Sequence, residues 1–285
     1  MLIAGSRFRV ALFCLMAVGL GGCASTGNVI GFEQSNMNAP IKMLVMESPV
    51  SIEPGRLRAV LAPDVKPGSP VPEGLIAHGE RHAREYALTS MQDALDKQAG
   101  LDVIKPPAGE NPSIDKIEGN KFESAITQDE ADRLRATTGA DAILRFGITD
   151  YGMTPKSWRD GYITFEVTST LAIAGAIAYA GTAAAKAAGS AYLVQEGVEE
   201  SAESYAGFWA LDVVSRPVRI KAELVRLNPV ATVWEASDTG LSDVSLSRLT
   251  RKVAAIERGN QLDQSTNYAV GDVVSNLSSA MKEIN

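Results

Sequence analysis

Pro217-Val218-Arg219-Ile220-Lys221-Ala222-Glu223-Leu224-Val225-Arg226-Leu227 is the stretch that decides the fold. Val218, Ile220, Ala222 and Leu224 alternate with Arg219, Lys221 and Glu223. That two-residue period puts apolar side chains on one face and charged ones on the other, the pattern of a half-buried antiparallel strand. Pro229 marks a turn, and Ala231 to Ala236, containing Trp234, reads as the hairpin partner. Upstream, Ala142 to Thr149 reads as another strand. A helix precedes it. Thr127-Gln128-Asp129-Glu130 has the capping-box form, in which the Thr hydroxyl caps a backbone amide and the Glu reaches back, and Gly139 supplies the stop.

Working outward, Ile41 to Met46 is a short apolar run suited to a buried first strand. Residues 48–74 carry Pro54, Pro63, Pro67, Pro70 and Pro72 and read mostly as loop. A helix is expected from Glu73 to Gln98, where Ala83, Ala87, Met91, Ala94 and Leu95 form one apolar stripe, with Gly100 as its stop. Leu101 to Lys105 reads as a second strand, ended by Pro106-Pro107. At the far end, helices are expected near Ser247 to Glu257 and Ser265 to Ile284; Val270, Val273, Val274, Leu277, Met281 and Ile284 line one side of the latter. The order implies an α/β (α+β) two-layer domain, a mixed sheet with helices packed on it.

These residues carry a resemblance. Gly139-Ala140-Asp141-Ala142-Ile143-Leu144 running into Ile148-Thr149-Asp150-Tyr151-Gly152, then the alternating strand, then Val233-Trp234-Glu235, resembles a group of bacterial envelope lipoproteins. The group includes the curli secretion channel lipoprotein, the DUF799-type lipoproteins and the activators of penicillin-binding proteins. Its shared α/β domain is similar to the N-terminal domain of TolB. The resemblance covers roughly residues 41–152 and 217–284 and implies a structural, secretion or assembly role in the envelope. Residues 153–216 have no counterpart in it.

The N-terminus agrees with an envelope destination. Arg7 and Arg9 are the only charges before the apolar run Val10 to Leu20, which is too short to cross a bilayer as a helix and reads as a secretory signal. Leu20-Gly21-Gly22-Cys23 resembles the lipobox of bacterial lipoproteins. That resemblance implies cleavage between Gly22 and Cys23, diacylglycerol on the Cys23 thiol and acylation of the new amine. More than one acyl chain makes such anchoring stable. Ala24, where a retention signal would place Asp, implies the outer membrane by the same resemblance, with the body expected in the periplasm. The expected organisation is signal peptide 1–22, lipid anchor and tether 23–40, and an α/β domain 41–285 with insertion 153–216. The tether is rich in Gly, Ser, Asn and Thr and suits a flexible stand-off. Cys14 leaves with the signal, so no disulfide is expected in the mature chain, and its core must hold it together.

The insertion is the most unusual segment. Residues 167–185 contain no formal charge and are dominated by Ala and Gly. An Ala/Gly-rich helical hairpin packed on its own domain, a membrane-contacting helix and a spanning β-strand all fit parts of it. Trp158, Tyr162, Tyr205, Phe208 and Trp209 cluster at its two ends as candidate anchors for a partner or the membrane interface, with core packing as the alternative.

Chemistry is sparse. His78-Gly-Glu-Arg-His82 is not the metalloprotease spacing, and Glu80 lies about 200° round the helix from each histidine. Glu85 is on the histidine side. Asp141 and Asp150 bracket the Ala142–Thr149 strand and read as turn residues. No metal, cofactor or catalytic set is expected. The net charge of −7 argues against general nucleic-acid binding. The expected role is non-enzymatic, through an envelope protein partner and the membrane at Cys23, with homo-oligomerisation possible in principle. The alternatives are a ring-forming outer-membrane channel component that uses residues 153–216, and a hydrolase or metal-binding protein that uses His78 and His82.

Overall fold

The computed structural model describes residues 40–66, 68–105, 117–118, 121–162, 164 and 206–282. The signal segment, Cys23, the tether up to residue 39, residues 165–205 of the insertion and Ile284 lie outside these. In chain order the elements are β1 (Ile41–Glu47), α1 (Pro54–Leu61), α2 (Leu75–Leu95), β2 (Leu101–Ile104), β3 (Ile117–Glu118), β4 (Lys121–Phe122), α3 (Gln128–Thr138), β5 (Ala142–Tyr151), β6 (Val218–Leu227), β7 (Val230–Gly240) and α4 (Ala255–Lys282). Residues 156–162 and 206–214 are also helical.

Five strands form one mixed sheet in the order β2-β1-β5-β6-β7. β1 is parallel to both β2 and β5, while β5–β6 and β6–β7 are antiparallel. Parallel β1 and β2 need a crossover, and α2 supplies it. The expected mixed sheet with helices packed on it is therefore what the chain adopts. The register fixes two ends. Ile41 pairs with Leu101, and Ala142 faces Arg226 near the β6–β7 turn, so the chain enters the sheet at one end. Tyr151, Val218 and Gly240 lie side by side at the other. β5 has 10 residues, which separates the two ends by about 30 Å.

The main core lies between one sheet face and the helices α2 and α4. Val45, Leu144, Phe146, Ile220, Leu224 and Trp234 point into it from the strands, and Met91, Leu95, Val273 and Leu277 from the helices. Each large aliphatic side chain withdrawn from water there contributes about 1.5–3 kcal/mol. A smaller cluster on the opposite face joins Leu44, Met46 and Ile143 to Ala131 and Leu134 of α3. Helical packing thus reaches both faces, with α3 covering only the end of the second. Its N-terminus forms the Thr127 half of the expected capping box: the hydroxyl accepts from Glu130 N at 3.3 Å, and Gly139 closes the helix at φ 71°.

Four expectations change. Residues 48–74 are not all loop, because Pro54 occupies the first turn of α1, where its missing N–H is no loss, and Leu57 and Val60 become buried. The helix expected near 247–257 is only a 3-10 turn, Leu246–Leu249, tied by Arg248. α4 instead begins at Ala255 and runs 28 residues. β6 is not half-buried: Arg219, Lys221 and Glu223 on its polar face are 7%, 4% and 7% exposed. The β3–β4 hairpin helps cover that face, since Phe122 lies 4.4 Å under the Arg145 guanidinium, as does Ser157, whose hydroxyl meets Arg219 Nη1 at 2.5 Å.

Candidate docking site at the neck of the insertion

β5 ends at Tyr151 and β6 begins at Val218, so the chain leaves and re-enters the sheet on adjacent strands at the end away from Ile41. The outgoing helical segment 156–162 and the returning segment 206–214 meet directly. Tyr162 and Phe208 pack edge to face with centroids 5.8 Å apart, and the Arg159 guanidinium lies 5.3 Å over the Phe208 ring.

A polar clasp underlies these rings. Asp212 on the returning segment accepts from Thr154 N and, at 2.6 Å, from Thr154 Oγ1; its second oxygen takes Arg159 Nη2 at 2.7 Å. The Thr154 carbonyl accepts from Arg159 Nε at 3.2 Å and from Arg56 Nη2 at 3.0 Å. Arg56 also donates Nη1 to Asp150 Oδ1 at 3.1 Å, and that same oxygen takes the Lys156 amide at 3.2 Å. One bonded set therefore ties α1, the end of β5 and both legs of the insertion. Asp150 is not a simple turn residue: it sits within β5 and anchors the clasp. Asp141 fits the turn reading, with Oδ2 accepting from Lys42 N at 3.1 Å.

Burial raises the pKa of Asp150 and of Asp212 above the usual carboxylate range, against the opposing pull of Arg56 on the first and of Thr154 and Arg159 on the second. Burial likewise raises Glu47 and Asp238. A folded-state pKa above the unfolded value means the folded protein binds protons more readily. The associated stability is complete below the unfolded pKa of about 4 and is lost as pH rises through the folded value. Thermal melts followed by circular dichroism should show a midpoint that rises as pH falls from 7 towards 5. Asp212→Asn should shrink that rise. A midpoint that falls over the same interval would contradict the assignment.

The aromatic candidates separate. Trp158 is buried, with Nε1 making no hydrogen bond, so it packs into the body. Tyr162 and Phe208 are half-buried against each other, and Trp209 leaves 50% of its surface exposed. Tyr205 lies outside the described residues. Residue type alone marks the aromatics at the neck, whereas the clasp of Arg56, Thr154, Arg159 and Asp212 emerges only from the fold. The signal that would have found it is the pair of acids, Asp150 and Asp212, standing at the two ends of the insertion.

The histidines belong elsewhere. His82 Nε2 lies 3.0 Å from Asp263 Oδ1 of α4, and its ring lies 5.9 Å from that of Tyr86. Both groups are partly exposed on the outer face of α2 and α4. Among the described residues, no group of three His, Cys, Asp or Glu side chains is placed to hold a metal ion, and no helix is long and apolar enough to cross a membrane.

No protein-family model matches the sequence, and no curated protein matches it. Solved structures give distant similarities. The PelC dodecamer from Paraburkholderia phytofirmans aligns at 10% identity over 84% of this chain and 88% of that one, with a TM-score of 0.33. A Xanthomonas campestris protein of the DUF330 family aligns at 8% identity over 89% and 94%, with a TM-score of 0.35. A hypothetical protein from Chlamydia trachomatis aligns at 10% identity over 86% and 96%, also at 0.35. Scores this low carry neither topology nor role across.

Proposed function

We propose that the chain is a lipid-anchored outer-membrane protein that works without catalysis, by holding the 153–216 insertion out to an envelope protein partner. The observation that carries this reading is the neck. Asp212, Thr154 and Arg159 lock the two legs together, and Arg56 and Asp150 bind them to the body. A clasp of charged hydrogen bonds fixes the direction in which the insertion leaves, as a docking element requires. The neck stands about 30 Å from the end where the chain enters the sheet. With lipid on Cys23 and a 17-residue tether after it, the body hangs from one end and presents the other. The lipobox resemblance and the curli-secretion and TolB-like resemblance of the body support this placement.

Metabolic labelling with a palmitate analogue, followed by membrane fractionation, tests it. The wild-type chain should take label and sediment with the outer membrane, and Cys23→Ser should abolish both. His78→Ala and His82→Ala should leave cellular function unchanged, while deletion of residues 165–205 should remove it. An unlabelled, freely soluble wild-type protein would overturn the reading.

A further inference from the structure

The helical layer carries a feature that the docking role does not use. α2 and α4 run side by side on the outside of the core, and polar bonds join them at two levels. Asn267 donates Nδ2 to Tyr86 Oη at 2.6 Å and accepts from Ser90 Oγ at 2.8 Å; farther along, Ser278 Oγ donates to Gln98 Oε1 at 2.8 Å. Between these levels lie Ala94 and Gly271, whose side chains are too small to fill the seam. A Cβ added at Gly271 would meet nothing within 4 Å. The result is a half-open groove of about 460 Å³, within the range of about 300–1,000 Å³ typical of small-ligand clefts.

The lining divides by chemistry. Val270 and Ala94 give it an apolar floor, and Val270 is a core residue of α4. The walls are polar. Tyr86 Oη accepts from Asn267, which leaves its own hydrogen to donate; Ser90 Oγ donates to Asn267, which leaves its lone pairs to accept. Thr89, Asp93 and Lys97 stand exposed on the α2 side, and their side chains make no hydrogen bond or ion pair among the described residues. Donors and acceptors thus surround an apolar floor, and one acid offsets one base. A phosphate would need cations in excess. A purely aliphatic ligand would leave the wall groups unpaired. A pyranose ring meets both demands, because its hydroxyls donate and accept while its C–H faces lie on apolar or aromatic surface. Tyr86 supplies a ring in the groove, and Tyr268, one turn from Gly271 on α4 and 52% exposed, offers another to a chain that runs on past it.

We infer that the groove between α2 and α4 is a binding site for a neutral glycan. One pyranose unit sits over Val270 and Ala94 with its hydroxyls bonded to Ser90, Asp93 and Lys97, and the next unit crosses α4 at Tyr268. The groove belongs to the helical layer and shares no residue with the neck of the insertion. The inference therefore goes beyond the docking reading and does not rest on it.

Isothermal titration calorimetry on the full-length protein tests this, in a detergent without a sugar headgroup, with maltotetraose and with the tetramer of N-acetylglucosamine as probes. At least one of them should bind with a dissociation constant of about 1 mM or below. Gly271→Leu puts a side chain into the open space of the groove and should weaken that binding about tenfold or more. Its melting midpoint should not fall, since leucine favours helix over glycine, so lost binding cannot be put down to lost folding. Tyr268→Ala changes an exposed side chain and should weaken binding about threefold to tenfold. Failure of both sugars to bind at about 10 mM would overturn the inference, as would binding that Gly271→Leu leaves intact. Binding of tetraalanine in place of either sugar, removed by Gly271→Leu, would overturn it in favour of a peptide groove.

Discussion

Glu223→Ala is expected to lower the free energy of unfolding by about 3–5 kcal/mol, because it strands a buried cation. Arg145 on β5 and Glu223 on β6 face each other across the antiparallel register and are 6% and 7% exposed. Glu223 Oε1 accepts from Arg145 Nε at 2.8 Å and stands 2.6 Å from Nη2, while Thr232 Oγ1 adds a weaker bond at 3.3 Å. The remaining Arg145 donor, Nη1, goes to the Ser124 carbonyl at 2.8 Å, and the Phe122 ring covers the guanidinium. Water cannot reach Arg145 to replace the lost carboxylate, so the variant bears nearly the full desolvation cost of that charge. Replacing both partners with apolar residues of similar size, Arg145→Met with Glu223→Leu, should cost far less, since no charge remains to be paired. Urea denaturation of the two variants measures the contrast. Equal losses from both would show that the site's stability comes from packing rather than from pairing.

Gly240→Ala should cost about 3 kcal/mol or more for an unrelated reason. Gly240 closes β7 where α4 crosses it, and an added Cβ would overlap the Ser265 carbonyl oxygen and the Ala269 amide nitrogen. Both atoms are helix backbone, which cannot rotate aside as the tip of a side chain can. Making room means lifting α4 from the sheet, where Ala269, Val270 and Val273 are fully packed. Gly259→Ala is the control. It lies on the same helix with open space around it, and alanine favours helix by about 1 kcal/mol, so this change should be neutral or stabilising. Chemical denaturation of the pair checks the prediction; a Gly240→Ala protein as stable as the wild type would mean that α4 does not approach β7 this closely.

Much of the architecture was legible in the chain because it depends on local pattern. The apolar stripe of Ala83, Ala87, Met91 and Leu95 gave α2 its position and its inward face, and all four are buried there. Thr127 and Gly139 bounded α3, and the alternation from Val218 identified β6 and the apolar face that meets the core. α1 was hidden because six prolines between 48 and 74 read as loop, although Pro54 at a first turn is compatible with helix. At the neck, the aromatic residues advertised themselves by type, whereas Thr154, Arg159 and Asp212 had no spacing to betray them. Asp212 and Thr154 are 58 residues apart in sequence, and nothing short of the fold brings them to hydrogen-bond distance.

By itself, then, the sequence determined the five strands of the main sheet, the helices α2, α3 and the later part of α4, their apolar faces, and the order that makes a mixed sheet with helices on it, since periodicity and capping act within a few residues. Tertiary structure alone decided that the charged face of β6 is buried too, because its cover comes from Phe122 and Ser157, distant in sequence from the strand they shield. It also decided that Asp212 clasps Thr154 and that Arg216 Nε is left without a hydrogen-bond acceptor, because burial and pairing depend on which distant groups arrive beside a charge.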